Sequence, residues 1–587
     1  MATSAIPGIL SAALAASPLA GDPRFEKDFD FLAKTVRLEY AALKSKDIDW
    51  DAICKRFEPR FAKCESEIEH VKNVMEILAT LRDSHTGVTE TRVDRKELPG
   101  KFDGLYGGGL WFGWDGGKFV VRGIMAGHAL GSTVPIGSVL VCAGGEPAWY
   151  AMERERRRAA RFAGASSDHS FWASLSNRLL PFGEKRDVEA QFLDPTGKTR
   201  KVTVPRWGPG GQSFDFVGLF LPEGLEGKDA ASSAIVRTEW SKNVGFLKIT
   251  GGMDAATVSA FHAAFDALKG MDALVLDCRS MGGGGDPFAW EMAGRLYSKG
   301  VPYGSRRLEP SGSWQFDGPV VMLQDETEVS SAETFTWAVS ETGRVVSVGR
   351  PTGGWGIIPR GFELPSGIAK FRLGVNDRPT PLKNVHTEGV GWPPDVLIPF
   401  GPEMCLAGEK KWAPLVNEKY PDPVLAVATE ILRVLHAGVP ADEARDAFHG
   451  LAEGEAAAFL AFAKKAAAKA KGFEGDRLAK LFKDDLEAEI AQERALLDLQ
   501  DEMPPDALGA LRRAPRLVAR AKALGLAKDA AALEKAVKAA KSEAAAQEAL
   551  FAALDADFAL SDKAAKAFLG KHGATKTGRF VKRLGEK

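Results

Sequence analysis

Three separated segments of this 587-residue chain carry residue types that could make and break a covalent bond. In Val329-Ser330-Ser331-Ala332-Glu333 a serine stands between a predicted strand, Pro319 to Leu323, and a predicted helix from Ser331. A hydroxyl at such a turn meets free helix amides and the positive end of the helix dipole, both useful to an attacked carbonyl. Serine is also a preferred N-cap, and Ser330 with Glu333 satisfies the S-x-x-E capping box, so cap and nucleophile both fit. The second segment, Asp277-Cys278-Arg279-Ser280-Met281, runs into Gly282 to Gly285. A strand entering a glycine cluster ahead of a helix leaves backbone N–H groups aimed at one spot, which suits a phosphate or a tetrahedral oxyanion. The phosphate alternative lacks a G-x-x-x-x-G-K-[ST] motif, and a plain glycine turn fits as well. The third, Asp83-Ser84-His85-Thr86-Gly87, offers an imidazole that could serve as a general base or as a helix-end residue.

The elements that must position these segments change character along the chain. From Phe25 to Leu81, Ile68, Val71, Val74, Met75, Leu78 and Leu81 recur at three- and four-residue steps, which predicts a helical lead-in over residues 24–100. Residues 101–210 are punctuated by glycine, with short apolar runs such as Phe119-Val120-Val121 and Ser138 to Val141 that read as strands, and with an Arg-rich helix at Arg154 to Arg161. Over 211–402 strand and helix patterns alternate: Phe246 to Ile249, Ala273 to Leu276, Pro319 to Leu323 and Val345 to Val348 are the apolar runs. Alternation of this kind implies a largely parallel α/β core. Residues 403–587 are rich in Ala, Lys and Glu and predict helices broken near Pro504-Pro505 and Gly509, a region suited to oligomerisation or partner docking.

Taken in order, these segments resemble one family, the C-terminal processing (tail-specific) peptidases, including the tricorn core and the retinoid-binding-protein-like branch. The resemblance rests on Asp-Ser-His-Thr, Asp-x-Arg followed by glycines, Ser-x-Ala-Glu, Val348-Gly349 with Thr352-Gly353, and Glu388 to Gly391 ending in Pro394-Asp395, and it covers about residues 25–400. It implies a crotonase-like α/β peptidase core within a multidomain α+β chain. Ser330 is then the nucleophile, with oxyanion donors from the Ser331 amide and from Gly283 or Gly284. Where most members carry a base lysine inside Gly-Lys-Gly, this chain has Gly354-Trp355-Gly356, and an indole cannot accept the serine proton. The tricorn-like branch implies His85 as base instead, preceded by Ser84 and oriented by Glu388. Trp355 is expected to line the substrate cleft. Gly109, Leu110, Trp111 and Phe112, with the later Gly144-Gly145 turn, resemble the carboxylate-binding part of a bacterial PDZ domain, which implies capture of a peptide terminus by strand addition. Ser138 departs from that pattern.

The expected activity is serine endopeptidase chemistry on proteins or peptides, without cofactor or metal. His386 near Glu388 has no companion ligand set of the H-E-x-x-H kind. The alternative is a non-catalytic relative that binds a hydrophobic ligand or peptide in the same cleft. Lys and Arg number 77 against 78 Asp and Glu, so no global field recruits nucleic acid or an anionic membrane surface. Apolar residues at 45% and charged residues at 26% indicate a folded globular chain, and no stretch reaches the apolar length of a spanning helix. Five scattered cysteines form no C-x-x-C pair and imply neither a disulfide scaffold nor a zinc cluster. Residues 1–23 hold a small apolar run, Ala5 to Ala20, with no basic residue before Arg24. It reads as an Ala-rich leader or a truncated export signal, which tips the expected location towards a bacterial periplasm over the cytoplasm.

Overall fold

The computed structural model describes residues 22–100, 110–124, 130, 133–176, 187–205, 229–399, 422–499, 503–555 and 558–585. All of the leader except Asp22 and Pro23 lies outside the described residues, as does Gly109. The chain opens with helices α1 (Pro23–Glu39), α2 (Trp50–Ala62) and α3 (Glu67–Ala79), capped by Asp22, Asp49 and Ser66, whose side chains accept from backbone N–H groups of the first turn. Strand β1 (Gly87–Thr91) follows directly, although the periodicity assigned this stretch to the helical lead-in.

A β-rich module comes next, with strands β2 (Leu110–Asp115), β3 (Lys118–Ile124), β4 (Val139–Ala143) and β5 (Glu146–Pro147), helices α4 (Ala148–Ala160) and α5 (Asp168–Ser176), and strands β6 (Val188–Leu193) and β7 (Thr199–Val204). The path is β2-β3-β4-β6-β7 with β5 on β4, so β2 is an edge strand among the described residues, and α5 packs along it.

The core comprises β8 (Ala231–Val236), β9 (Val244–Ile249), α6 (Ala255–Asp266), β10 (Ala273–Asp277), α7 (Asp286–Ala293), the short β11 (Val301–Tyr303) and β12 (Arg306–Leu308), β13 (Val320–Gln324), α8 (Ser331–Glu341), β14 (Val346–Gly349), β15 (Ile357–Glu363), β16 (Ala369–Asp377) and β17 (Val396–Leu397). Its main sheet runs β17-β14-β13-β10-β9-β8, parallel except for β8. The continuous apolar runs have their cause here, because both faces of this sheet are covered. Phe246, Val275, Val321 and Leu323 point to one layer, Leu247, Leu274, Leu276 and Met322 to the other, as the two-residue period of a strand requires. The second sheet, β1-β16-β15, is antiparallel, and its Ile357, Phe371 and Leu373 share a core with α1 to α3. A boundary near residue 100 therefore cuts through one packed layer.

Beyond Asp422 the described residues are helical. The break falls between helices Gly475–Leu497 and Ala507–Ala523, and Gly509 sits inside the second of these, donating to the Asp506 cap. The helix Pro423–His436 packs beneath the main sheet, with Leu425, Ile431 and Leu432 in the same cluster as Phe246 and Val348. Leu496 and Leu499 meet Val139 and Val141 of the β-module, and Leu550 and Phe580 meet Tyr150. Among the described residues no helix is long and apolar enough to cross a membrane.

Candidate active site

The carboxyl ends of β10 and β13 open into the glycine loop and the Ser330 turn, the position where parallel sheets commonly present ligand-binding loops. Ser330 has φ +60° and ψ −129°, a strained conformation for a residue with a Cβ, costing on the order of 1–3 kcal/mol. Strain of this kind is the mark of a side chain held out of a strand-to-helix turn. The hydroxyl meets the imidazole: Ser330 Oγ lies 2.9 Å from His85 Nε2. The S-x-x-E spacing is used as well, since Glu333 accepts from the Ser330 N–H at 3.1 Å.

Glu333 does more than cap. It is fully buried and also accepts from Thr352 Oγ1 (2.5 Å), the Gly354 N–H (2.9 Å) and the Trp355 N–H (2.7 Å). One carboxylate thus ties the Ser330 backbone to the 352–355 turn. Burial pushes its carboxyl up to about 7 despite these four donors.

The glycine loop closes the other side. A methyl group at Gly283 would stand 2.5 Å from Ser330 Cβ, and one at Gly284 would stand 2.1 Å from the Met253 carbonyl oxygen, so both positions exclude a side chain. The N–H groups of Gly283, Gly284 and Ser331 have no acceptor among the described residues, while Ser331 Oγ donates to the Gly284 carbonyl at 2.8 Å. Three unengaged amides beside the hydroxyl are suited to a developing oxyanion. The loop is anchored at its root, where Asp277 bonds the Arg279 backbone and guanidinium and Lys248, and Arg279 reaches Asp422. Burial alone would raise the Asp277 carboxyl, but these two cations hold it at about 2.

His85 is positioned through its backbone and its ring face. Its N–H donates to Asp83 Oδ1 at 2.8 Å, Asp83 Oδ2 accepts from Thr86 Oγ1 at 2.7 Å, and Thr86 Oγ1 accepts from the Gly374 N–H of β16. The Trp355 ring meets the imidazole edge-on at 5.5 Å, and its Nε1 donates to Ser170 Oγ of α5 at 3.1 Å. Trp355 lines the cleft as expected and also braces the histidine. Burial pushes the imidazole below its ordinary value; Asp83 opposes this, while Arg372 and Lys46 add to it.

Two expected contacts are absent. Glu388 does not bond the His85 ring; Oε2 accepts from the Gly356 N–H at 2.9 Å and Oε1 takes Lys46 Nζ at 2.6 Å. Burial raises this carboxyl, and Lys46 offsets part of the rise. Nδ1 of His85 has no well-formed hydrogen bond; the backbone acceptor that interacts with the ring is the Ile357 carbonyl. Ser84 likewise turns from the ring, its Oγ accepting from the Ser166 N–H while Ser166 Oγ accepts from the Ser84 N–H. In the β-module, Leu110 and Phe112 are 2% exposed and belong to that module's own core, so their side chains cannot receive a ligand; Trp111 lies between them in β2. Their burial follows from the strand's inward face, which the glycine-aromatic motif alone does not distinguish from an outward one.

Lys46, Ser166, Ser170 and Arg372 carried no signal in the sequence. Ser167 and His169 join Ser166 and Ser170 there, bonding the Gly353 and Thr352 carbonyls, so the start of α5 is stapled to the loops around His85 and Trp355. His386, by contrast, pairs with Asp377 in an exposed position. The resulting cleft, about 540 Å³, is lined by His85, Gly283, Gly284, Ser330, Trp290, Trp337 and Trp355 among others.

The chain is similar to several known proteins. The chain is 30% identical over 170 residues to carboxyl-terminal-processing peptidase 2, chloroplastic, of Arabidopsis thaliana, a match covering 27% of this chain and 32% of that one. It is 35% identical over 86 residues to the carboxyl-terminal-processing protease of Picosynechococcus sp., covering 15% of this chain and 20% of the other. The matches thus span about a third and a fifth of these curated relatives. The fold is similar to that of mature CPAF, with a TM-score of 0.51 at 15% identity over 71% of this chain and 98% of that one. The model of peptidase family S41 matches the segment from β9 to β17, which contains Ser330, the glycine loop and Glu388 but not His85: residues 243–398 are a peptidase family S41 domain.

Proposed function

We propose that the protein is a serine endopeptidase in which Ser330 is the nucleophile and His85 its general base. The observation that carries this reading is the 2.9 Å approach of an imidazole, its basicity lowered by burial, to a hydroxyl on a strained turn, beside amides with no other acceptor among the described residues. His85 Nε2 takes the Ser330 proton as Oγ attacks the scissile carbonyl, and the amides of Ser331 and Gly283 or Gly284 hold the oxyanion. The imidazolium then returns the proton to the leaving amine. Water hydrolyses the acyl-enzyme by the same route in reverse. An Nε2 free to accept a proton requires the other ring nitrogen, Nδ1, to carry the ring proton.

Ser84 and Glu388 act as positioning residues in this reading, through Ser166 and through Lys46 with Gly356 respectively. The β-module is the part suited to holding the remainder of a peptide, with the β2 edge as its pairing strand. Ser330→Ala is expected to abolish peptide hydrolysis while leaving the circular dichroism spectrum and melting curve in place. Hydrolysis that survives this change would exclude the nucleophile, and binding without hydrolysis by the wild type would favour the non-catalytic ligand-binding alternative.

A further inference from the structure

Besides the His85 imidazole, the charged groups that line the cleft are Asp286, Arg372 and Arg378. Two of these cancel: Asp286 pairs with Arg378 and also accepts from Thr334 Oγ1 at 2.8 Å. Arg372 differs: it is exposed, and its guanidinium has no hydrogen bond or ion pair among the described residues. A guanidinium held beside reacting groups and not neutralised by its own chain is a receptor for a carboxylate.

Its position in the sheet gives the side of the scissile bond it faces. Arg372 pairs across strands with Gly87, two residues after His85, whereas Trp290, Thr334, Trp337 and Arg378 continue away into a second cavity of about 240 Å³ with Tyr303 and Arg306. His85 must reach the leaving amine, so a group flanking His85 flanks the leaving-group side.

Building on the peptidase reading, we propose that Arg372 is a specificity-determining residue that selects substrates carrying a carboxylate within about three residues after the scissile bond, the reach set by an extended chain and one arginine side chain. The carboxylate is an acidic side chain or the peptide's own terminus.

The test is cleavage-site mapping by mass spectrometry on a proteome-derived peptide mixture, with wild type, Arg372→Ala, Arg372→Lys and Arg372→Glu. It is followed by synthetic peptides that differ only in Glu, Gln or Lys after the cut, each with a free or an amidated terminus. Wild type is expected to prefer Glu over Gln by about fivefold or more in kcat/KM at low salt. Arg372→Lys should retain part of the preference, Arg372→Ala lose it, and Arg372→Glu turn it towards Lys. A preference that survives amidation identifies a side chain, and one that vanishes identifies the terminus. Identical profiles for all four proteins would overturn the inference while leaving the peptidase reading intact. If the wild type cleaves nothing, that reading fails and the same peptides are measured by fluorescence anisotropy: tighter Glu binding lost in Arg372→Ala sustains carboxylate recognition, and equal binding overturns it.

Discussion

Among the described residues no carboxylate bonds the His85 ring, and that sets the residue-scale expectations. Burial depresses the imidazole below its ordinary 6.5, so kcat/KM should rise with pH along an acid limb centred below that value, as the ring loses its proton. A limb centred above 6.5 would contradict the environment described. Because Glu388 bonds Gly356 and Lys46 rather than the ring, Glu388→Gln should cost about tenfold in kcat/KM, far less than the roughly 10⁴-fold loss when a ring-bound triad carboxylate is replaced. Lys46→Met leaves Glu388 buried without its cation and should lower stability by about 3 kcal/mol in denaturant unfolding. The double variant should lose less than the sum. Ser330 and His85 were legible because each sits in a local motif. Lys46 was not, since its partner lies 342 residues away and nothing beside it in sequence marks the pair.

At the scale of elements, the Ser330 turn depends on a loop that must lack a side chain. Gly283→Ala would set a methyl group 2.5 Å from Ser330 Cβ, and is expected to reduce kcat at least tenfold with little change in Tm, because the displaced groups are reactive rather than core. Glu333, the carboxylate that ties this turn to Thr352–Trp355, takes up a proton on folding between its unperturbed 4.5 and about 7. Its contribution to stability is therefore fullest below 4.5 and falls as pH rises through 7. The pH slope of Tm over that window should flatten in Glu333→Gln. The parallel strands were readable because burial on both faces leaves an unbroken apolar run. β1 was not, since its alternation is weak and its partner β16 is far along the chain. The capping box disclosed Glu333 as a cap but not its three further donors, which only the folded turn supplies.

The whole molecule is closed around its tail. Alanine-rich composition made the helices legible, but an amphipathic helix reads the same whether it serves a partner or its own chain. Here the apolar faces are used internally, and buried ions reinforce them: Lys118 of β3 lies among Asp115, Glu489 and Glu493, and Arg513 pairs with Glu493 and Asp506. Ending the chain after Trp412 would uncover Phe246, Val275, Val321 and Val348 on the sheet that carries Ser330. The shortened protein is expected to aggregate or bind a hydrophobic dye; a soluble form with full hydrolysis would show the tail to be dispensable. The central claim, that distant segments converge to activate one hydroxyl, is tested most directly by fluorophosphonate labelling with the modified residue mapped by mass spectrometry. The account predicts a single adduct on Ser330 that is lost in Ser330→Ala and strongly slowed in His85→Ala. An unlabelled wild type, or an adduct on a different serine, would contradict it.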